Sequence, residues 1–266
     1  MVAKKKSVKP KAPTILEHGL GYIPDQRDER DFLYSVHRPQ TDMLQVTLPP
    51  AVTLIADFPD VYDQGQLGSC VGQSTALVFN FVLREQKVEV FSPARQFIYY
   101  NARLMLGTVQ SDSGCMIRDA MKVLGNTGVP TEEVWPYSSR FNQRPSAAAY
   151  ANAKALHHQA LQYQRLNRSI EEFKVALFNR HPIVLGFSVY ENFYQPWVQR
   201  FVAPLPSGRL LGGHAVTVIG YDDLLKGFLI QNSWGSRWGN AGRFVLPYEF
   251  VTNPGLSADF WTLLQV

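Results

Sequence analysis

Cysteine is scarce: 266 residues contain only Cys70 and Cys115. Two thiols close at most one intrachain bridge, which excludes a small secreted scaffold held by several disulfides. No stretch approaches the ~18 uninterrupted apolar residues of a membrane-spanning helix. The N-terminus lacks the apolar core of a secretory signal, so a reducing, cytoplasmic setting is expected. Charged residues make up only 18% of the chain and hydrophobic ones 45%, too apolar a balance for general disorder. Internal repeats and low-complexity tracts are missing. His157-His158 has neither zinc-site spacing nor a helical face, and no metal or cofactor is expected.

What the chain has in excess is positive charge, net +4, and that charge is local. Lys4, Lys5, Lys6, Lys9 and Lys11 fall within the first thirteen residues. Setting these five of the 26 basic side chains aside leaves 21 against 22 acidic ones. The body is near neutral, and residues 1–13 form a disordered Lys-rich tail suited at most to contact with a polyanion. A monomer is the default oligomeric expectation.

Residues 1–47 read as an extension, rich in charge and turn formers (His18-Gly19-Leu20-Gly21, Pro24-Asp25) without lasting periodicity. Leu48-Pro49-Pro50 marks a boundary. A mainly helical lobe is expected over 48–156, with helices from Cys70 to about Gln86, from Ser92-Pro93 to about Leu106, and from Ile117 to about Leu124. The Ala-rich stretch 146–156 reads as a link between lobes. A mainly β lobe is expected over 157–266. It opens with a helix over 169–179, headed by the capping box Ser169-Ile170-Glu171-Glu172. Short strands follow over 183–189, 215–221, 228–231 and 243–246. The class is α+β.

Cys70 stands at the start of the buried helix, where unpaired N–H groups and the helix dipole favour a thiolate. A thiolate nucleophile needs a partner to hold its proton and later deliver it. Of His18, His37, His157, His158, His181 and His214, only His214 opens a β-branched strand directly after two glycines. His181-Pro182 reads as a helix C-terminal cap, and His157-His158 as a solvated pair. In Gln231-Asn232-Ser233-Trp234-Gly235, Asn232 could orient a histidine and Trp234 could shield that bond from water.

Cys70, His214 144 residues later and Asn232 162 residues later resemble, in order and approximate spacing, the papain-like cysteine peptidases (family C1). Gln64 six residues before the cysteine, Trp135-Pro136-Tyr137, Gly220-Tyr221 and the Asn232–Gly235 block extend the likeness, and it points to the bacterial members. The resemblance implies a two-lobed fold, with a helical left lobe, an antiparallel β-barrel-like right lobe and the active-site cleft between them. It implies Cys70 as nucleophile, His214 as acid/base, Asn232 as its orienter, and the Gln64 amide with the Cys70 N–H as oxyanion hole. Ser113-Gly114 would pair with an extended substrate, Cys115, Met116, Gly213 and Ala215 would line a second subsite for an apolar side chain, and Trp234 would cover the Asn232–His214 bond.

Leu67 stands where the family has a half-cystine and Val71 where it has Trp or Tyr, in keeping with a reducing setting. The implied activity is hydrolysis of peptide bonds in peptide or protein substrates, as an endopeptidase more than an exopeptidase. The alternatives are a narrow amidase or acyl transferase using the same triad, or an idle papain-like binding module. The 47 residues of the extension are too few for the family's helical propeptide, and part of residues 15–47, which include Tyr22, Phe32 and Tyr34, is expected to lie across or beside the cleft and restrict access.

Overall fold

The computed structural model describes residues 18–37, 47–156, 161–194 and 201–265. The Lys-rich tail and the His157-His158 pair lie outside them. Among the described residues the order is α1 (Tyr34–His37), β1 (Ala51–Thr53), α2 (Cys70–Glu85), α3 (Arg95–Met105), α4 (Ile117–Asn126), α5 (Ala147–Ala155), β2 (Gln162–Arg165), α6 (Ile170–Phe178), β3 (Ile183–Tyr190), a 3₁₀ turn (Glu191–Tyr194), β4 (Leu210–Asp222), β5 (Gly227–Gln231), β6 (Arg243–Pro247), α7 (Tyr248–Thr252) and β7 (Ser257–Gln265). No described helix is long and apolar enough to cross a membrane.

Helix α2 is apolar round most of its circumference, and every residue from Cys70 to Leu83 is buried. It is a central helix for that reason. Gly72 lets α3 come close, because a Cβ there would stand 2.9 Å from the Arg95 carbonyl oxygen and 3.2 Å from Tyr99 Cβ. Helix α3 begins at Arg95 and not at the expected Ser92-Pro93. Pro93 is drawn instead into a bridge with Thr131, and the Ser92 carbonyl accepts from Glu132 N at 2.7 Å. The stretch expected as a link is helix α5, capped by Ser146, whose hydroxyl accepts from Ala149 N. Alanine is the strongest helix former, and Ala149 and Ala153 are small enough to bury on one face. Half of the expected capping box of α6 forms: the Ser169 hydroxyl accepts from Glu172 N, but the Glu172 carboxylate accepts from Asn167 N and Nδ2 at 3.0 Å and not from the Ser169 amide.

The sheet is antiparallel in the order β2-β7-β3-β4-β5-β6, with β1 on β4. It is open, with β2 and β6 at its ends, and does not close into a barrel. Strand β4 is its long member and pairs Phe187 with His214 and Gly186 with Ala215 on β3. Helix α2 lies against β4: the Ser74 hydroxyl donates to the Ala215 carbonyl at 3.1 Å. That contact brings the N-terminus of a helix to the strand carrying His214.

Candidate active site

The helix start puts Cys70 where its backbone neighbours can act on sulfur. The Ala215, Gly21 and Val71 amides all favour a thiolate. Burial wins nevertheless. Cys70 is fully buried, and its thiol is pushed up to about 11. This corrects the expectation of a lowered thiol pKa: the helix terminus is present, and a covering segment that includes Gly21 desolvates the sulfur it would stabilise.

His214 donates from Nε2 to Asn232 Oδ1 at 2.8 Å, since an amide oxygen only accepts. The same oxygen accepts the Ser233 amide at 2.8 Å, which fixes the Asn232 side chain. The donated proton sits on Nε2, so the neutral ring keeps its lone pair on Nδ1. Nδ1 has no hydrogen-bond partner among the described residues. Trp234 covers the pair, its ring centroid 4.7 Å from the imidazole. Burial lowers the His214 pKa to about 4, against the raising effect of the Asn232 bond. Thiol and imidazole are therefore both neutral near pH 7 in this closed arrangement.

Gln64 is held from three sides. Ser233 Oγ donates to its Oε1 at 2.6 Å, its backbone amide donates to the Ser233 carbonyl at 2.8 Å, and Tyr137 Oη donates to its carbonyl at 2.8 Å. Its Nε2 is left to donate to the carbonyls of Leu67 at 2.7 Å and Gly19 at 2.9 Å. The Tyr137 hydroxyl also meets Ser69 Oγ at 2.6 Å, so the Trp-Pro-Tyr stretch braces the loop before the cysteine.

The binding candidates separate. Ser113 Oγ turns to Thr108 Oγ1 at 3.0 Å, and the Gly114 amide donates to Tyr99 Oη at 3.1 Å. Neither backbone pairs with the strand in the cleft. Cys115 does so instead: its amide donates to the Gly21 carbonyl at 2.9 Å, and its carbonyl accepts from Ile23 N at 3.1 Å. Met116 is the residue just before α4. Gly213 accepts from Tyr22 N at 3.0 Å, and Ala215 flanks the thiol. Cys115 is buried and, like Cys70, free, and burial raises its thiol pKa well above the ordinary value.

Sequence reasoning expected part of residues 15–47 across or beside the cleft, and residues 18–25 are the part that lies against the site. His18 stacks on Trp234 with ring centroids 5.0 Å apart and planes at 7°. Gly19 meets Gln64, Gly21 meets Cys70, and Tyr22 reaches past Gly213 to donate from Oη to Asp259 Oδ2 at 2.6 Å. A Cβ on Gly21 would overlap the Gly68 backbone, so glycine is required where the chain crosses the cysteine. Asp259 also accepts from Asp25 N at 2.6 Å and from Arg165 at 2.6 Å, and Arg165 joins Arg118 on Asp31. The signal available was the segment's aromatic content, Tyr22 included, while the Gly-Leu-Gly run before it read as a turn. His181, read as a helix cap, closes the last turn of α6 through its amide, which donates to the Ala176 carbonyl, while its ring meets Tyr34 Oη at 3.1 Å.

Comparison with known proteins fits this arrangement. Residues 55–254 match the papain family of cysteine proteases, and the chain belongs to that family. Its structure is similar to that of xylellain, a cysteine protease from Xylella fastidiosa, with a TM-score of 0.85 and 37% identity over the whole of both chains. An uncharacterised peptidase C1-like protein of Acanthamoeba polyphaga mimivirus is 32% identical over 94% of this chain and 88% of its own length. A cathepsin B-like protein of Giardia intestinalis is 28% identical over 70% of this chain, which spans 63% of that relative. The fold alone is shared with a procathepsin B of Trypanosoma congolense, with a TM-score of 0.72 and 17% identity.

Proposed function

We propose that the chain is a latent endopeptidase that cleaves peptide bonds through a Cys70 acyl-enzyme, with residues 18–25 as its built-in blocker. The supporting observation is the His214 Nε2–Asn232 Oδ1 bond, which leaves Nδ1 as the free base on the residue before Ala215, whose amide reaches the Cys70 thiol. Once the segment is displaced, Cys70 passes its proton to His214 Nδ1 and Sγ attacks the scissile carbonyl carbon. As the S–C bond forms, the carbonyl π pair moves to oxygen, facing Gln64 Nε2 and the Cys70 amide. Collapse breaks the C–N bond, and Nδ1 returns its proton to the departing amine. Water, deprotonated by Nδ1, then attacks the thioester, releasing the acid and restoring the thiol.

Two features support this reading over an exposed, permanently active site. The Gly19 carbonyl takes the Gln64 donor, and burial holds both catalytic groups neutral. Beyond His18 the cleft continues as a depression lined by Asp63, Trp234, Arg237 and Trp238, leaving space for residues beyond the scissile bond. That supports endopeptidase over exopeptidase action. The test is a thiol-directed epoxide on the full chain carrying Tyr22→Gly, with mass mapping of the adduct. Modification of Cys70, abolished by Cys70→Ser, is expected. Labelling confined to Cys115, or no labelling, contradicts the proposal.

A further inference from the structure

The pocket that holds Tyr22 has a floor the sequence reading did not foresee. Its walls are bare backbone: a Cβ on Gly186 would overlap the Tyr22 ring, and one on Gly213 would stand 2.8 Å from Tyr22 Cδ1. The slot is ring-sized because two neighbouring strands, β3 and β4, both present glycine to it. At its end lies Asp259, 3% exposed, in the left-handed region at φ 59°. A non-glycine residue in that conformation costs about a kcal/mol, and three strong bonds hold it there, to Tyr22 Oη, Asp25 N and Arg165 Nη2.

We infer that this pocket is a tyrosine-selecting subsite, with Asp259 reading the phenol hydroxyl of a peptide substrate. The inference rests on the peptidase proposal and names the substrate class for that site. The carboxylate is already paired with Arg165 at 2.6 Å, so a Lys or Arg side chain entering the slot would meet a neutralised acid and a guanidinium of its own sign. An Asp or Glu side chain would meet the like charge of Asp259 at the end of the slot. A phenylalanine would fill the slot and leave Asp259 Oδ2 buried without the hydroxyl, which is costly for a charged acceptor. A phenol satisfies both ring and oxygen. Displacing the blocker removes both Oδ2 donors at once, since Tyr22 and Asp25 belong to the same segment. The substrate's hydroxyl then replaces one of them. Backbone pairing would come from the Gly213 carbonyl and the Cys115 edge, which now hold the segment.

The experiment uses the full chain with Tyr22→Gly, which empties the slot, and matched peptides carrying Tyr, Phe, Leu or Arg at one position. Tyr is expected to exceed Phe by about tenfold or more in kcat/KM, and Arg to be poorer still. Adding Asp259→Gly, a residue suited to the left-handed backbone, should bring the Tyr-to-Phe ratio to near one. A ratio near one before that change, or an unchanged ratio after it, overturns the inference. The second readout needs no catalysis: in the otherwise unaltered chain, Tyr22→Phe should speed hydrogen exchange at the Tyr22-position and Ile23 amides about tenfold. In the Asp259→Gly background it should add nothing. Exchange unchanged by Tyr22→Phe overturns the pocket reading, whereas failure to cleave any peptide with a positive exchange cycle overturns the peptidase reading alone.

Discussion

The carbonyl of Gly19 accepts a 2.9 Å hydrogen bond from the Gln64 side-chain amide, the group proposed above to face the charged substrate oxygen. On that proposal the chain occupies its own oxyanion donor with a backbone oxygen two residues away from the glycine that crosses Cys70. Occupation of that donor and desolvation of the thiol have one cause, and relief of either should relieve both.

Gly21→Leu should displace the segment, because any Cβ there overlaps the Gly68 backbone. Alkylation of Cys70 by iodoacetamide at pH 7.5, mapped by mass, should accelerate at least tenfold as the thiol leaves its value of about 11. An unchanged rate would show that the segment does not control the thiol.

Gln64→Ala should lower kcat by a factor on the order of 10²–10³ with little change in KM, the pattern of a donor used mainly in the transition state. In the unactivated chain the same substitution removes the bond to Gly19 and should increase protease nicking of the segment. A variant altering KM alone would assign Gln64 to ground-state binding.

Asn232→Ala leaves the His214 Nε2–H buried beneath Trp234 without its acceptor. Loss of one to two decades in kcat is expected, with partial rescue by Asn232→Asp, which retains an acceptor oxygen. Equal kcat in Asn232→Ala and wild type would remove Asn232 from the orienting role.

The depressed His214 pKa has a defined stability signature. The folded value is about 4 against an ordinary value of 6.5, so the unfolded chain binds the extra proton between them. The contribution is complete above the unfolded value and is lost as pH falls toward 4. Relative to His214→Gln, wild type should lose about 2 kcal/mol of unfolding free energy between pH 7.5 and pH 5. Denaturant titrations of both proteins at the two pH values check it, and parallel pH dependences would contradict it.

The site was more legible in the sequence than its cover. Cys70, His214 and Asn232 each sit in a local context that singles them out as candidates: a helix start, a glycine-flanked strand and a Trp-covered turn. Helix α2 was legible because its apolar residues run nearly uninterrupted, and β3 to β6 because their residues are β-branched or aromatic. Strand β2, with the sequence Gln-Tyr-Gln-Arg, has no such pattern and is a strand only because β7 pairs with it. Strand β7 hid for the opposite reason, being buried on both faces without alternation. Asp259 and Tyr22 stand 237 positions apart, and no local signal joins them. The segment's glycines looked like turn residues because what they permit is close approach to Gly68 and Cys70, a tertiary property.

The account's central claim is that a Cys70–His214 peptidase lies closed beneath residues 18–25. Hydrolysis of a mixed peptide library by the full-length Gly21→Leu chain, beside wild type and the Gly21→Leu/Cys70→Ser double variant, tests it most directly. Cleavage should rise at least tenfold over wild type and vanish with Cys70→Ser. Cleavage that survives Cys70→Ser, or its absence from the Gly21→Leu chain, would contradict the claim.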